Sequence, residues 1–247
     1  MKAVILAGGL GTRLRPFTEI IPKPLLPLGE RSLMEVQILM LQQHGFEDII
    51  VATNYRSELV EAFLGDGSRL GVKLTFSREE RPLGTCGPLS LLRDQLTEPF
   101  LLINGDILTK LDFRLMLQFA VQQDCTLTVG TKVVTMPFRF GNVLVNEHNH
   151  IIGVEEKPDL QFEILAGVYC LKPDVFEYIP KNEYFGIDQL IKTMLARSAC
   201  ISRYLIHEYW LDIGQVDDYD TARRQYSSHF LQPASDAESA SQPSEAT

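Results

Sequence analysis

The stretch Gly8-Gly9-Leu10-Gly11-Thr12-Arg13 combines three glycines with a guanidinium, directly after the apolar run Ala3-Val4-Ile5-Leu6-Ala7. Glycines at the end of a strand let the main chain approach an anion closely, and successive backbone N–H groups in such a turn form a concavity suited to phosphate. Arg13 adds a planar fork able to grip two phosphate oxygens. No acid lies between Gly8 and Thr18, and Arg15 is present, so the local field is positive. A second cation, Lys23, sits in Pro22-Lys23-Pro24, an arm too proline-rich for helix. Two aspartates stand where apolar runs meet glycine: Asp106 in Asn104-Gly105-Asp106 and Asp212 in Trp210-Leu211-Asp212-Ile213-Gly214. Together these residue types suit the handling of phosphates beside a cation.

The common phosphate signatures do not fit. The dinucleotide pattern G-x-G-x-x-G would need a glycine where Leu14 stands, and no G-x-x-x-x-G-K-[ST] occurs in the chain. A tight structural turn after the first strand is the plain alternative for the glycines. The stiff cationic arm carrying Lys23, about ten residues beyond Arg13, favours an anion site.

Gly8-Gly9-Leu10-Gly11-Thr12-Arg13-Leu14-Arg15-Pro16 followed by Pro22-Lys23-Pro24 resembles the signature of the sugar-1-phosphate nucleotidyltransferases, and in particular their mannose-1-phosphate guanylyltransferase-like members. Further matches carry the resemblance from Met1 to about Tyr226. It implies that Leu6, Gly8, Gly9, Gly11, Thr12 and Arg13 bind the nucleotide, with Arg13, Lys23 and Lys157 as catalytic residues. Pro82-Leu83-Gly84-Thr85-Cys86-Gly87 looks like the P-x-G-T-x-G segment that reads the base, through Gly84 and Thr85. Asp106 alone could equally cap the next turn, and so could Asp212; the resemblance implies that both hold Mg²⁺, with Asp106 also on the nucleotide side. Glu155-Glu156-Lys157-Pro158 is similar to the E-K-P motif, with Glu156 on sugar hydroxyls and Lys157 on the phosphate. Gly141 and Gly167 complete the sugar-phosphate side. Leu165 departs from the pattern, which has asparagine before Ala166-Gly167-Val168-Tyr169.

The implied reaction joins an NTP and a sugar 1-phosphate into an NDP-sugar and pyrophosphate. At Glu79, five residues before Gly84, family members commonly carry glutamine. A carboxylate only accepts, which suits the donor edge of guanine or the cytosine amine better than a pyrimidine imide. GTP with a mannose- or heptose-type sugar is the preferred reading, and UTP, dTTP or CTP with a glucose-type sugar 1-phosphate is the alternative. Two other classes compete with this reading: a regulatory subunit that lost catalysis, supported only by Leu165, and a glycosyltransferase, which would have no use for the triphosphate turn.

The elements that must position these residues follow an alternating order. Ser32-Leu33-Met34-Glu35 is a capping box opening an amphipathic helix that stops at Gly45, and Asp48 to Ala52 reads as a second buried strand. Ser57 is expected to cap a helix to Leu64, a strand follows around Lys73 to Phe76, and Leu89 to Leu96 reads as helical. Phe100 to Asn104 is a strand, Asp112 to Gln123 a helix, and Thr126 to Val134 a β-branched strand. This β-α-β-α order predicts an α/β fold, Rossmann-like and three-layered, with a mixed, mostly parallel central sheet. Arg139 to Val154 suggests a small antiparallel excursion, with His148 and His150 at a solvated tip rather than on a metal.

Of 247 residues, 45% are hydrophobic and 22% charged, enough for one large core, and the net charge of −9 argues against a nucleic-acid partner. Cys86, Cys125, Cys170 and Cys200 are widely spaced, so neither a zinc site nor a disulfide framework is expected. With no signal-peptide or membrane-spanning run, a soluble cytoplasmic protein is expected, with small-molecule substrates and no membrane partner. No appended acetyltransferase β-helix is expected. The helix faces show no unambiguous dimer seam, leaving a homo-oligomer open. Residues 1–226 read as the catalytic domain and 227–247, rich in Ser, Ala, Pro and Gln, as a disordered tail.

Overall fold

The apolar run before the glycine turn forms β1 (Lys2–Ala7), and its side chains enter two cores: Ala3, Ile5 and Ala7 on one face, Val4 on the other. A strand buried on both faces belongs in the middle of a covered sheet. In the computed structural model, which describes residues 1–230, β1 lies between β4 (Asp48–Thr53) and β6 (Phe100–Asn104), parallel to both. β5 (Lys73–Arg78) extends the sheet beyond β4, also parallel. On the other side β11 (Asp159–Leu171) runs antiparallel between β6 and β8 (Leu127–Pro137), and β12 (Ile201–Leu205) forms the edge, parallel to β8. The order β12-β8-β11-β6-β1-β4-β5 is the expected mixed sheet, with four of its six neighbouring pairs parallel.

One face is covered by α1 (Leu33–Gln43), α2 (Ser57–Leu64) and α3 (Phe113–Gln123), through Met34, Ile38, Val60, Leu64, Phe113 and Met116. The other is covered by α4 (Ile187–Ala196) and a 3-10 segment, Gly87–Leu92, through Leu190, Met194, Leu89 and Leu92. The capping box is present: Ser32 Oγ accepts from the Glu35 N–H at 3.2 Å, and the Ser32 N–H donates to Glu35 Oε2 at 2.8 Å. A third core joins residues 14–36 to residues 213–226. Leu14, Leu26, Leu28 and Leu33 pack there against Ile213, Tyr219, Ala222 and Tyr226, the last three on α5 (Val216–Phe230). The short hairpin of β2 (Pro27–Leu28) and β3 (Arg31–Ser32) lies at this junction, with the Tyr219 hydroxyl donating to the Pro27 carbonyl at 2.7 Å.

Several expectations are corrected. Ser57 opens α2 without capping it; the preceding residue, Arg56, takes a left-handed conformation (φ 52°) and no side chain caps the helix. The segment expected as an α-helix over Leu89 to Leu96 is the 3-10 run above, begun by Gly87-Pro88. The final helix continues past residue 226 to Phe230, and the rest of the expected tail lies outside the described residues. Cys125 and Cys200 form a disulfide, with Cα atoms 4.8 Å apart. They precede β8 and β12, neighbours in the sheet with Leu127 opposite Ile201, so sheet topology closes a separation of 75 residues that spacing could not reveal. Cys86 and Cys170 are buried and free.

Candidate active site

β1, β5 and β6 end at one edge of the sheet, and the loops leaving them line a cleft of about 450 Å³, within the range of small-molecule sites. Leu6, Gly8, Gly9, Gly11, Thr12, Arg13, Lys23, Glu79, Gly84, Thr85 and Asp106 all line it, so the structure brings together every residue expected on the nucleotide side. Gly11 is left-handed (φ 63°), and a Cβ there would stand 2.8 Å from Thr18 Cγ2. Thr18 fixes the turn by donating its hydroxyl to the Gly11 carbonyl at 2.7 Å. Gly9 has open space where a side chain would be, which leaves the backbone accessible.

The opposite wall is a double loop. Gly84 (φ 79°) lies against the backbone of Phe185, where a Cβ would approach its carbonyl oxygen to 2.9 Å. The Phe185 N–H donates to the Leu83 carbonyl at 2.9 Å, and Thr85 Oγ1 accepts from the Ile187 N–H at 2.7 Å. Gly84 and Thr85 thus shape the loop that faces the cleft. Glu79 Oε2 accepts from the Leu83 N–H at 2.8 Å, while Oε1 faces Gly8. Burial pushes the Glu79 carboxyl above its usual range, with the Leu83 N–H opposing.

The two aspartates meet through a second, two-stranded sheet. β7 (Ile107–Thr109) pairs antiparallel with β13 (Trp210–Asp212), Ile107 opposite Asp212, and the Ile213 N–H donates to the Asp106 carbonyl at 2.9 Å. Gln37 braces this corner from α1, its side-chain amide donating to the carbonyls of Asn104 at 3.0 Å and Ile107 at 2.6 Å. Lys23 Nζ lies 2.8 Å from Asp106 Oδ2. A Cβ on Gly214 would be 3.5 Å from Arg13 Nη1 and 3.6 Å from Asp212 Oδ1, so the guanidinium and the second carboxylate both lie beside Gly214, which lines the cleft; Asp212 itself is not part of the lining. A pair of hard oxygen ligands, with remaining positions left to water and substrate phosphates, is the usual protein contribution to a Mg²⁺-type site. Among the described residues no group of three or more His, Cys, Asp or Glu converges.

Asp212 is solvent-accessible, yet the atoms packed about it raise its carboxyl above the ordinary range. The Asp106 charge adds to this, while Lys23 and Arg13 oppose it. A folded-state pKa above the unfolded value means that the ionised form costs stability above the folded pKa, and that this cost fades as pH falls through it. Asp212→Asn, which keeps the shape without the charge, is therefore expected to raise the Tm at neutral pH. A lowered Tm in calorimetry would contradict the account.

The sugar-side residues are not gathered into this cleft. Glu156 and Lys157 lie on the antiparallel excursion, 73% and 69% exposed, paired with each other at 3.7 Å. A Cβ on Gly141 would be 3.3 Å from Glu156 Oε2. Gly167 (φ 69°) sits where the β11–β8 register shifts, and a Cβ there would stand 2.9 Å from Asn104 Nδ2. Leu165, at the position of the missing asparagine, is 44% exposed. Sequence reasoning missed Asn104, whose Oδ1 is buried with no partner among the described residues, and Tyr184, the aromatic ring in the cleft lining. Neither carries a motif signal; Tyr184 arrives through the pairing of its loop with Leu83–Gly87.

The sequence and the fold are similar to those of known proteins. The family model described as nucleotidyl transferase matches residues 2–229. Mannose-1-phosphate guanylyltransferase 1 of Arabidopsis thaliana is 35% identical over 234 residues, 92% of this chain and 64% of its own length. A UTP-glucose-1-phosphate uridylyltransferase of Synechocystis sp. is 32% identical over 243 residues, covering 91% of this chain and 63% of its own. The chain thus spans a little under two thirds of these curated relatives. The crystal structure of HddC from Yersinia pseudotuberculosis superposes with a TM-score of 0.73 at 26% identity, over 91% of this chain and 99% of that one. HddC has also been crystallised in complex with GMP-PN. With the family match running from β1 into α5, the chain belongs to the nucleotidyl transferase family.

Proposed function

We propose that the chain transfers a nucleoside monophosphate from an NTP to a sugar 1-phosphate, forming an NDP-sugar and pyrophosphate, with GTP and a mannose- or heptose-type sugar preferred. The observation that carries this reading is the convergence of the glycine turn, Arg13 and Lys23 with the aspartate pair at one sheet edge. The guanylyltransferase relatives support the choice of GTP, as does the acceptor-only Glu79.

The nucleophile is already an anion. A phosphate oxygen of the sugar 1-phosphate attacks the α-phosphorus, the bond to the bridging oxygen breaks, and its electron pair leaves with pyrophosphate; no general base is needed at neutral pH. Positioning and charge neutralisation do most of the work in such transfers. The amides of Gly8 to Gly11 and the Arg13 fork hold the β- and γ-phosphates and stabilise the departing charge. Lys23 neutralises the nucleotide side, and Lys157 orients the sugar phosphate from the excursion. Mg²⁺ on Asp106 and Asp212 supplies further charge neutralisation at the phosphates when bound. The reading puts the enzyme in the cytoplasm, supplying NDP-sugar for polysaccharide or glycoconjugate synthesis. No helix among the described residues is long and apolar enough to cross a membrane.

Pyrophosphate release with Mg²⁺, across the common NTPs and a panel of sugar 1-phosphates, tests the proposal. Release is expected only when both substrates are present, and fastest with GTP; release from an NTP alone would refute the transfer. Glu79→Gln, which restores a donor and an acceptor, is expected to shift the kcat/KM ratio of UTP to GTP upward by about tenfold or more, as for a base edge left unpaired. An unchanged ratio would remove Glu79 from base selection.

A further inference from the structure

The cleft wall opposite the glycine turn is two loops fastened together. The Phe185 carbonyl accepts from the Cys86 and Gly87 N–H groups at 2.9 and 3.1 Å, and the Asn182 N–H donates to Ser90 Oγ at 3.0 Å. Arg81 donates to the Asn182 carbonyl, and a Cβ on Gly87 would stand 2.5 Å from the Glu183 carbonyl oxygen, so the two backbones lie in contact. Phe185 packs against the core beneath α4. Tyr184 stands between these fixed points, yet its side chain is 68% exposed. Its backbone is held while its ring packs against little of the chain itself. The ring lines the cleft, and among the described residues it is the one aromatic side chain that does so. An exposed aromatic on a fixed loop is a contact made ready for a ligand, because a tyrosine has only two torsions to lose on binding.

The surroundings of the ring indicate what it would meet. A nucleobase has polar edges and two apolar faces. Glu79, on the same wall, offers an acceptor to an edge, and Thr85 Oγ1 is already engaged by the Ile187 N–H. The residues expected on sugar and phosphate lie elsewhere: Glu156 and Lys157 follow the ribbon of β9 (Asn142–Val145) and β10 (Ile151–Glu155), outside the cleft lining. We propose that Tyr184 stacks on the base of the bound nucleotide, and that this face adds to the preference for a purine, whose fused rings cover more of the phenol than a pyrimidine does. The proposal rests on reading the cleft as the nucleotide site.

The test is calorimetric binding of GTP, UTP and inorganic tripolyphosphate to the full chain with Mg²⁺ and no sugar phosphate, so that no turnover is needed. Tyr184→Ala is expected to raise the Kd for GTP by about tenfold or more, the loss of one base–aromatic stack, and that for UTP by less. Tripolyphosphate has no base, and its Kd should stay as in the wild type. Tyr184→Phe keeps the ring and is expected to recover the affinity for GTP. An unchanged GTP Kd in the alanine variant would overturn the stack. So would a phenylalanine variant as weak as the alanine one, which would make the hydroxyl the contact, or an equal weakening of tripolyphosphate, which would mark a distorted cleft. A loss confined to the KM for sugar 1-phosphate would put the ring on the sugar and overturn the assignment as well. Equal losses for GTP and UTP would remove the purine preference. If the wild type binds GTP but releases no pyrophosphate with any sugar 1-phosphate, the transferase reading fails, while the pattern of Kd values still decides the stack.

Discussion

Arg13→Ala is expected to lower turnover by about 10²–10³, the cost of one pre-organised donor aimed at developing charge. Arg13 belongs to the 3-10 turn Thr12–Leu14, which is pinned from below by the fully buried Leu14 and from the side by the Thr18–Gly11 bond. Its guanidinium, beside Gly214, is therefore placed before any phosphate arrives. A lysine at this position would restore charge without the two-pronged grip, so Arg13→Lys should recover only part of the rate. Steady-state kinetics with saturating substrates check both variants. An Arg13→Ala enzyme within a few-fold of wild type would take Arg13 out of catalysis.

Asp106→Asn should be nearly as damaging, by about 10²-fold in kcat, because the amide keeps the shape and loses the charge that a hard cation requires. The same substitution removes the partner of Lys23 across 2.8 Å, leaving that cation unneutralised at the cleft wall. The expected signature is a Mg²⁺ titration displaced to higher concentration, with little change in the KM for sugar 1-phosphate. A titration superimposable on wild type would exclude Asp106 from holding the cation.

Features encoded by neighbouring residues were legible in the sequence. The Ser32–Glu35 capping box, the glycine turn after the first strand and the buried strand before it each depend on a few adjacent side chains, and each is found as read. The same local logic failed at Ser57, because Arg56 enters the helix from a left-handed conformation that moves the cap position off the hydroxyl. What depends on topology could not be read locally. Asp106 and Asp212 become neighbours only because β7 pairs with β13, and Cys125 reaches Cys200 only because β12 lies beside β8. The motif around Lys157 was visible, but its position on an exposed excursion, away from the cleft lining, was not.

The third core also bears on the order in which the molecule is completed. The layer beneath the glycine turn and the Lys23 arm joins residues 14–36 to residues 213–226. During synthesis the turn leaves the ribosome well before residues 213–226, whose side chains seat it. Contacts of such long sequence separation form late and slowly. A nascent chain could thus build most of its sheet while its nucleotide cleft stayed unfinished, and nucleotide affinity would emerge only with α5. Ligand binding should then protect residues 14–36 and 213–226 together in hydrogen exchange, as one cooperative unit.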